Sequence, residues 1–231
     1  MTSIWVYLNP LLFGILPYVA LIVFFLMTVI RYRSRSFTYS SLSSQFLENR
    51  LHFWAVVPFH YGILTVLAGH IMAFLIPRQI LLWNSNPLRL FTLEITGLIF
   101  GFLTLVGLVA SIIRRFTVAK VNRVTSVGDW IVYAMLLFQV VSGVSIALFY
   151  PWGSSWFAAI ATPYFWSIVE LRPLVENIAP MPWLVKLHII NAFLLIGFFP
   201  FTRLVHVLVV PNPYLWRKTQ VVRWYRRPTG I

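Results

Sequence analysis

The 231-residue sequence contains no cysteine. That excludes disulfides, thiolate zinc sites, cysteine-held iron–sulfur clusters and covalent c-type haem attachment. Charge is scarce too: charged residues make up 10% of the chain, and only five of them are acidic. A soluble domain carries about 25% charged residues, so a water-facing surface cannot be assembled from this set. What the chain has instead is apolar, with 60% of its residues hydrophobic and 17% aromatic. This is the composition of an all-α integral membrane protein. The net charge of +13 then reads as loop residues that orient the chain in a membrane, and nucleic acid is not expected as a partner.

A spanning helix needs about 20 mostly apolar residues. Five segments meet that requirement, at about 11–30, 53–76, 95–113, 130–150 and 187–210. Residues 1–231 therefore read as a single membrane domain ending in a basic tail, 211–231. None of the five resembles a cleaved signal peptide, because no basic region precedes the first apolar run.

The basic residues set the expected orientation. Arg31, Arg33, Arg35 and Arg50 follow the first span, Arg114, Arg115, Lys120 and Arg123 follow the third, and Arg217, Lys218, Arg223, Arg226 and Arg227 follow the fifth. The opposite side holds only Arg78, Arg89, Arg172 and Lys186. Basic loops stay cytoplasmic. The amino terminus is thus expected outside and the carboxyl-terminal tail inside, in a multi-pass chain of the cell (inner or plasma) membrane. The long external connection, 151–183, is rich in Trp, Phe and Pro and is expected along the outer interface. Gly97 and Gly101 form one GxxxG, expected to mark close helix packing.

Of the five histidines, His60 and His70 fall in the second span and His188 and His206 in the fifth. His52 stands at the interface beside Arg50 and reads as an ordinary polar residue there. Ionisable residues inside a membrane are costly and mark function by default. His188 and His206 are eighteen residues apart, about 27 Å and five turns along a continuous helix, hence on one face. His60 and His70 are ten residues apart, about 15 Å, with an offset of about 80°. Because the two spans run in opposite directions, depth pairs His60 with His206 toward the cytoplasm and His70 with His188 toward the outside.

Two neutral imidazoles facing each other across an apolar gap suit a six-coordinate haem iron. Zinc prefers four ligands, and no carboxylate is expected within reach, since Glu94 and Asp129 stand at span ends. The pattern thus points to two b-type haems stacked between spans two and five. Gly62, Ala68 and Gly69 beside the histidines would let a flat ring approach the backbone. Arg203, three residues before His206, shares its helix face and is the candidate partner for a haem propionate.

The block FHYGILTVLAGH, containing His60 and His70, and the block LHIINAFLLIGFFPFTRLVH, containing His188 and His206, resemble the gamma subunit of membrane-bound respiratory nitrate reductase. The resemblance extends over the chain, including Pro17–Tyr18 and Arg114–Arg115, and is poorest in the external loops. It implies a dihaem cytochrome b whose axial ligands are the same four histidines, paired as depth pairs them. It also implies a quinol contact near the outer haem through Gly69, His70 and Arg89, where the family commonly carries lysine in place of Arg89. Electrons would pass from the quinone pool to an iron–sulfur subunit and a molybdenum catalytic subunit on the cytoplasmic side, where nitrate is reduced. This chain would supply no catalytic side chain of its own. Two other readings fit the residues: a dihaem anchor of another complex (sulfite-reductase-linked, heterodisulfide-reductase-like, formate or hydrogen), and a metal or proton transporter.

Overall fold

The computed structural model describes residues 5–35, 47–48 and 50–209. The basic tail expected at 211–231 lies outside the described residues. Among those described, five helices are long and apolar enough to cross a membrane: Tyr7–Ser34, Leu51–Leu75, Pro87–Thr117, Val127–Phe149 and Trp183–Phe201. In chain order they are helices one to five. The chain is all-helical, with five candidate spans, as its apolar runs require.

Local chemistry sets where several of these helices begin. Asn86 accepts the backbone N–H of Leu88 at 3.0 Å, and Pro87 stands at the first helical position, where its missing N–H costs nothing. Helix three therefore starts well before the apolar run at 95–113, and Arg89 lies in its first turn. Ser126 and Asp129 form a reciprocal capping box at the start of helix four.

Helix two packs on helix three, three on four, four on five, and five on one. The helix two–three contact is the most extensive of these. A Cβ on Gly107 would fall within 3.0 Å of Ala55 O and of Phe59 backbone atoms, and one on Gly62 within 3.0 Å of Thr104 N and Phe100 O. These two glycines let the backbones touch. Gly62 thus serves helix packing in place of the ring access expected of it. Gly97, half of the GxxxG, has no atom within 4 Å of such a Cβ, and Gly101 meets only Val144 at 3.3 Å. Helices two and five share no interface of comparable extent and are joined chiefly through three and four.

The external connection, 151–183, joins helices four and five. It contains the helical segments Gly153–Trp156, Phe157–Ala161, Thr162–Val169 and Val175–Ile178, and it packs into the bundle. Tyr164 is fully buried against Phe13, and its hydroxyl donates to Phe13 O at 2.8 Å. Thr162 donates to Ala73 O and the Trp166 indole to Phe74 O. Aromatic bulk makes this loop a core element packed against helices one, four and five and hydrogen-bonded to the end of helix two.

Helix five is not continuous to 210. Its α-helical part ends at Phe198, a 3-10 turn covers Phe199–Phe201, Thr202 is extended, and Arg203–Val205 is a second 3-10 turn before His206–Val209. Pro200 supplies no N–H to the ladder, which is the physical reason for the break. The five-turn spacing of His188 and His206 therefore does not apply, and their shared face is not a property of one helix.

Candidate functional site

Between helices two, three and four and the turns after helix five lies a cavity of about 310 Å³. Its walls include Phe59 and His60 from helix two, Tyr133 from helix four, and His206. The two histidine rings meet edge-on, with centroids 6.3 Å apart and planes at 61°. His60 Nδ1 donates to Val56 O at 2.8 Å, and His206 Nδ1 donates to Arg203 O at 2.7 Å. A carbonyl can only accept, so each ring carries a proton on Nδ1, and in the neutral tautomer the lone pair lies on Nε2.

His70 is oriented the same way, donating Nδ1–H to Val66 O at 2.8 Å, and it packs edge-on against Phe157 with centroids 5.2 Å apart. Gly69 beside it has open space where a Cβ would stand. His188 turns toward helix four. Its Nδ1 is 2.8 Å from Ser142 Oγ and its Nε2 is 3.0 Å from Gln139 Nε2. Gln139 Nε2 can only donate, so Nε2 of His188 accepts and Nδ1 bears the proton. Gln139 Oε1 in turn accepts from Asn191 Nδ2 at 2.7 Å. Gly143 makes room for the ring, since a Cβ there would stand 3.1 Å from His188 Cε1.

Sequence reasoning left out Gln139, Ser142 and Asn191. Their signal was present as polar side chains inside apolar runs.

Among the described residues no three His, Cys, Asp or Glu side chains gather as a metal cage. A haem iron asks the protein for only two axial ligands, and two neighbouring imidazoles whose Nδ1 atoms are taken by carbonyls fit that requirement. The structure brings His60 and His206 together directly. His70 and His188 stand against different neighbours, Phe157 and helix four.

The charged rim differs from expectation. Asp129 lines the cavity, although its place at a span end had put it out of reach. Its Oδ1 takes Arg203 Nε at 2.9 Å, and Arg203 also donates to Val124 O at 2.8 Å. Arg203 is therefore tied to the start of helix four while it lines the cavity of His60 and His206. Arg114 is paired with Glu48 at 2.8 Å, and Arg115 donates to Thr125 and lies over the Tyr133 ring; both arginines also line the cavity. Arg89 is exposed and lies over Trp83, 5.5 Å from its ring centroid. Among the described residues no hydrogen bond or ring contact joins Arg89 to His70.

Comparison with known proteins points the same way. Residues 9–225 match the family model described as nitrate reductase gamma subunit. The chain is 33% identical over 223 residues to the respiratory nitrate reductase 2 gamma chain of Escherichia coli (strain K12), covering 94% of this chain and 97% of that protein. It is 33% identical over 219 residues to the nitrate reductase gamma chain of Bacillus subtilis (strain 168), covering 93% and 98%. A more distant relative is a subunit of the dihydromethanophenazine:CoB–CoM heterodisulfide reductase of Methanosarcina barkeri, 26% identical over 128 residues, or 54% of this chain and 42% of that one. With nearly its whole length matched, this five-helix membrane chain belongs to the nitrate reductase gamma subunit family.

Proposed function

We propose that this chain is the membrane-anchor cytochrome b of a respiratory quinol:nitrate oxidoreductase. In this reading it lies in the cell membrane with its amino terminus outside, as a single domain whose spans end in the cytoplasmic tail 211–231. It takes electrons from quinol near the outer face and delivers them to an iron–sulfur subunit and a molybdenum subunit in the cytoplasm. The observation that carries the reading is the approach of His60 and His206 on one cavity, with 6.3 Å between ring centroids. An imidazole nitrogen lies about 2 Å from a first-row metal, so a centroid separation of roughly 6 Å would leave room for one iron held by both rings. His60 and His206 would hold the cytoplasmic-side haem, and His70 and His188 the outer one.

Bound there, the haems would supply one-electron transfer. The protein's own contribution is orientation and burial. The carbonyls of Val56, Val66 and Arg203 orient three of the rings through Nδ1, and the fourth, His188, is held by Gln139 at Nε2 and Ser142 at Nδ1, so Gln139 would have to yield Nε2 to an iron. Gly69 leaves His70 approachable from the side where quinol would bind. Arg89 stands at the start of helix three, with its guanidinium as the proposed donor to the quinol oxygen. Its planar fork differs in reach from the point charge of a lysine.

The test is optical. Membranes containing the assembled complex are reduced with a quinol, and nitrate is added without oxygen. Prompt reoxidation of the b-haem absorbance is expected. His70→Ala and His206→Ala should each remove one haem of the two. Haem that reduces but ignores nitrate would move the assignment to another acceptor, and the similarity to a heterodisulfide reductase component makes that family's electron acceptor the next one to try. A complex without haem absorbance would overturn the reading.

A further inference from the structure

His206 does not inherit its position from helix five. The α-helical ladder stops at Phe198, and Thr202 is extended with φ −111° and ψ 177°. Whatever fixes the ring must therefore act on the short strap from Phe199 to His206. One residue of that strap is attached at both ends. The Arg203 side chain bonds Asp129 Oδ1 through Nε at 2.9 Å and Val124 O through a terminal nitrogen at 2.8 Å. The Arg203 carbonyl accepts His206 Nδ1–H at 2.7 Å.

Asp129 is itself rigid. It is 7% exposed, and its second oxygen accepts Ser126 N–H at 2.8 Å in the capping box of helix four. A buried carboxylate held by a backbone donor on one oxygen and a guanidinium on the other has little freedom to move.

We propose that Asp129 is a positioning residue for His206: by holding Arg203 it fixes the carbonyl that orients the ring beside His60. The proposal rests on the reading of His60 and His206 as the axial ligands of one haem. It differs from a role of Arg203 toward a propionate, under which Asp129 would be a competitor for the guanidinium and its removal would leave the inner haem at least as well bound.

The experiment uses the assembled complex in native membranes, with each haem read separately by its low-spin paramagnetic resonance signal and by redox titration. Asp129→Asn keeps the size and removes the charge. The expected result is a shifted or broadened inner-haem signal and a displaced inner-haem midpoint, with the outer haem unchanged as an internal control of folding. Asp129→Glu should restore part of the change. Arg203→Gln should produce the same inner-haem change, and Asp129→Asn added to it should produce nothing further, because residues acting through one contact are not additive.

An inner haem unaltered in Asp129→Asn, or effects that add in the double variant, would overturn the proposal. If Asp129→Asn removes both haems, Asp129→Glu decides: a change confined to the inner haem supports the proposal, and an equal change at both overturns it. His206→Ala is run alongside. If it retains both haems, the haem reading itself fails; if it loses one while Asp129→Asn is silent, only the role of Asp129 fails.

Discussion

Arg31, in the last turn of helix one, donates through one terminal nitrogen to the backbone carbonyl of Pro200 and, at 3.0 Å, to that of Thr202. These are carbonyls of the stretch where helix five breaks. A helix end leaves its last carbonyls without intrahelical partners, and burial without such partners is costly. The side chain from helix one thus makes a broken fifth span tolerable in a place with little water.

Arg31→Met should therefore destabilise the chain by about 1–3 kcal/mol, the usual cost of leaving a buried acceptor unpaired. Thermal unfolding of the detergent-solubilised protein measures it. Arg31→Lys, with a donor but no fork, should fall between the two. A melting temperature unchanged in Arg31→Met would show that water or another group serves these carbonyls.

The helix two–three crossing makes an equally direct demand. Gly107→Ala would push a methyl into the backbone of Ala55 and Phe59, and overpacking of this kind costs about 1–3 kcal/mol or more. Gly97→Ala, with nothing within 4 Å, should be neutral. Yield of folded chain and thermal stability would separate the two. Equal behaviour would mean that the crossing is looser than the structure shows.

Tyr164 is sealed in the core of the external connection, and burial pushes its phenol above the ordinary value of 10.0. It should remain un-ionised when exposed tyrosines titrate, as followed by ultraviolet difference absorbance of the wild type against Tyr164→Phe. That variant should lose about 1–3 kcal/mol, because Phe13 O is left without its donor. Titration of Tyr164 together with the surface tyrosines would contradict the packing of this segment.

Glu48 gives a pH dependence of definite sign. Its hydrogen bond to Arg114 holds the carboxyl below its ordinary value of 4.5. A carboxyl depressed in the folded state contributes stability that is present above the unfolded value and lost as pH falls through the folded one. The contribution should thus be intact at neutral pH and disappear below about 4.5. Glu48→Gln should flatten that part of the stability profile. A wild-type profile unchanged by the substitution would show that the pair with Arg114 contributes nothing.

Much of this was legible in the residues themselves. Apolar runs longer than a bilayer's width leave the backbone no alternative to helix, since a lipid-facing peptide group must find its partner within its own segment. The five spans and the membrane class come from that alone. Imidazoles in apolar surroundings named His60, His70, His188 and His206 as the residues to watch for the same reason: cost without evident return.

Tertiary structure decided what the sequence left open. Pro200 announces a break in helix five but not the path of the chain beyond it, and the position of His206 depends on Arg31 and Asp129, distant in sequence. The glycines at the tight crossing, Gly62 and Gly107, form no GxxxG, whereas of the GxxxG pair only Gly101 makes a close approach, to Val144, and Gly97 faces open space. Asp129 stands at a span end along the chain and reaches the cavity only because the strap folds back over it. Hydrophobic length is a one-dimensional property and can be read along the chain. Which polar groups meet is fixed by the packing of helices against one another, and that is set only when the bundle closes.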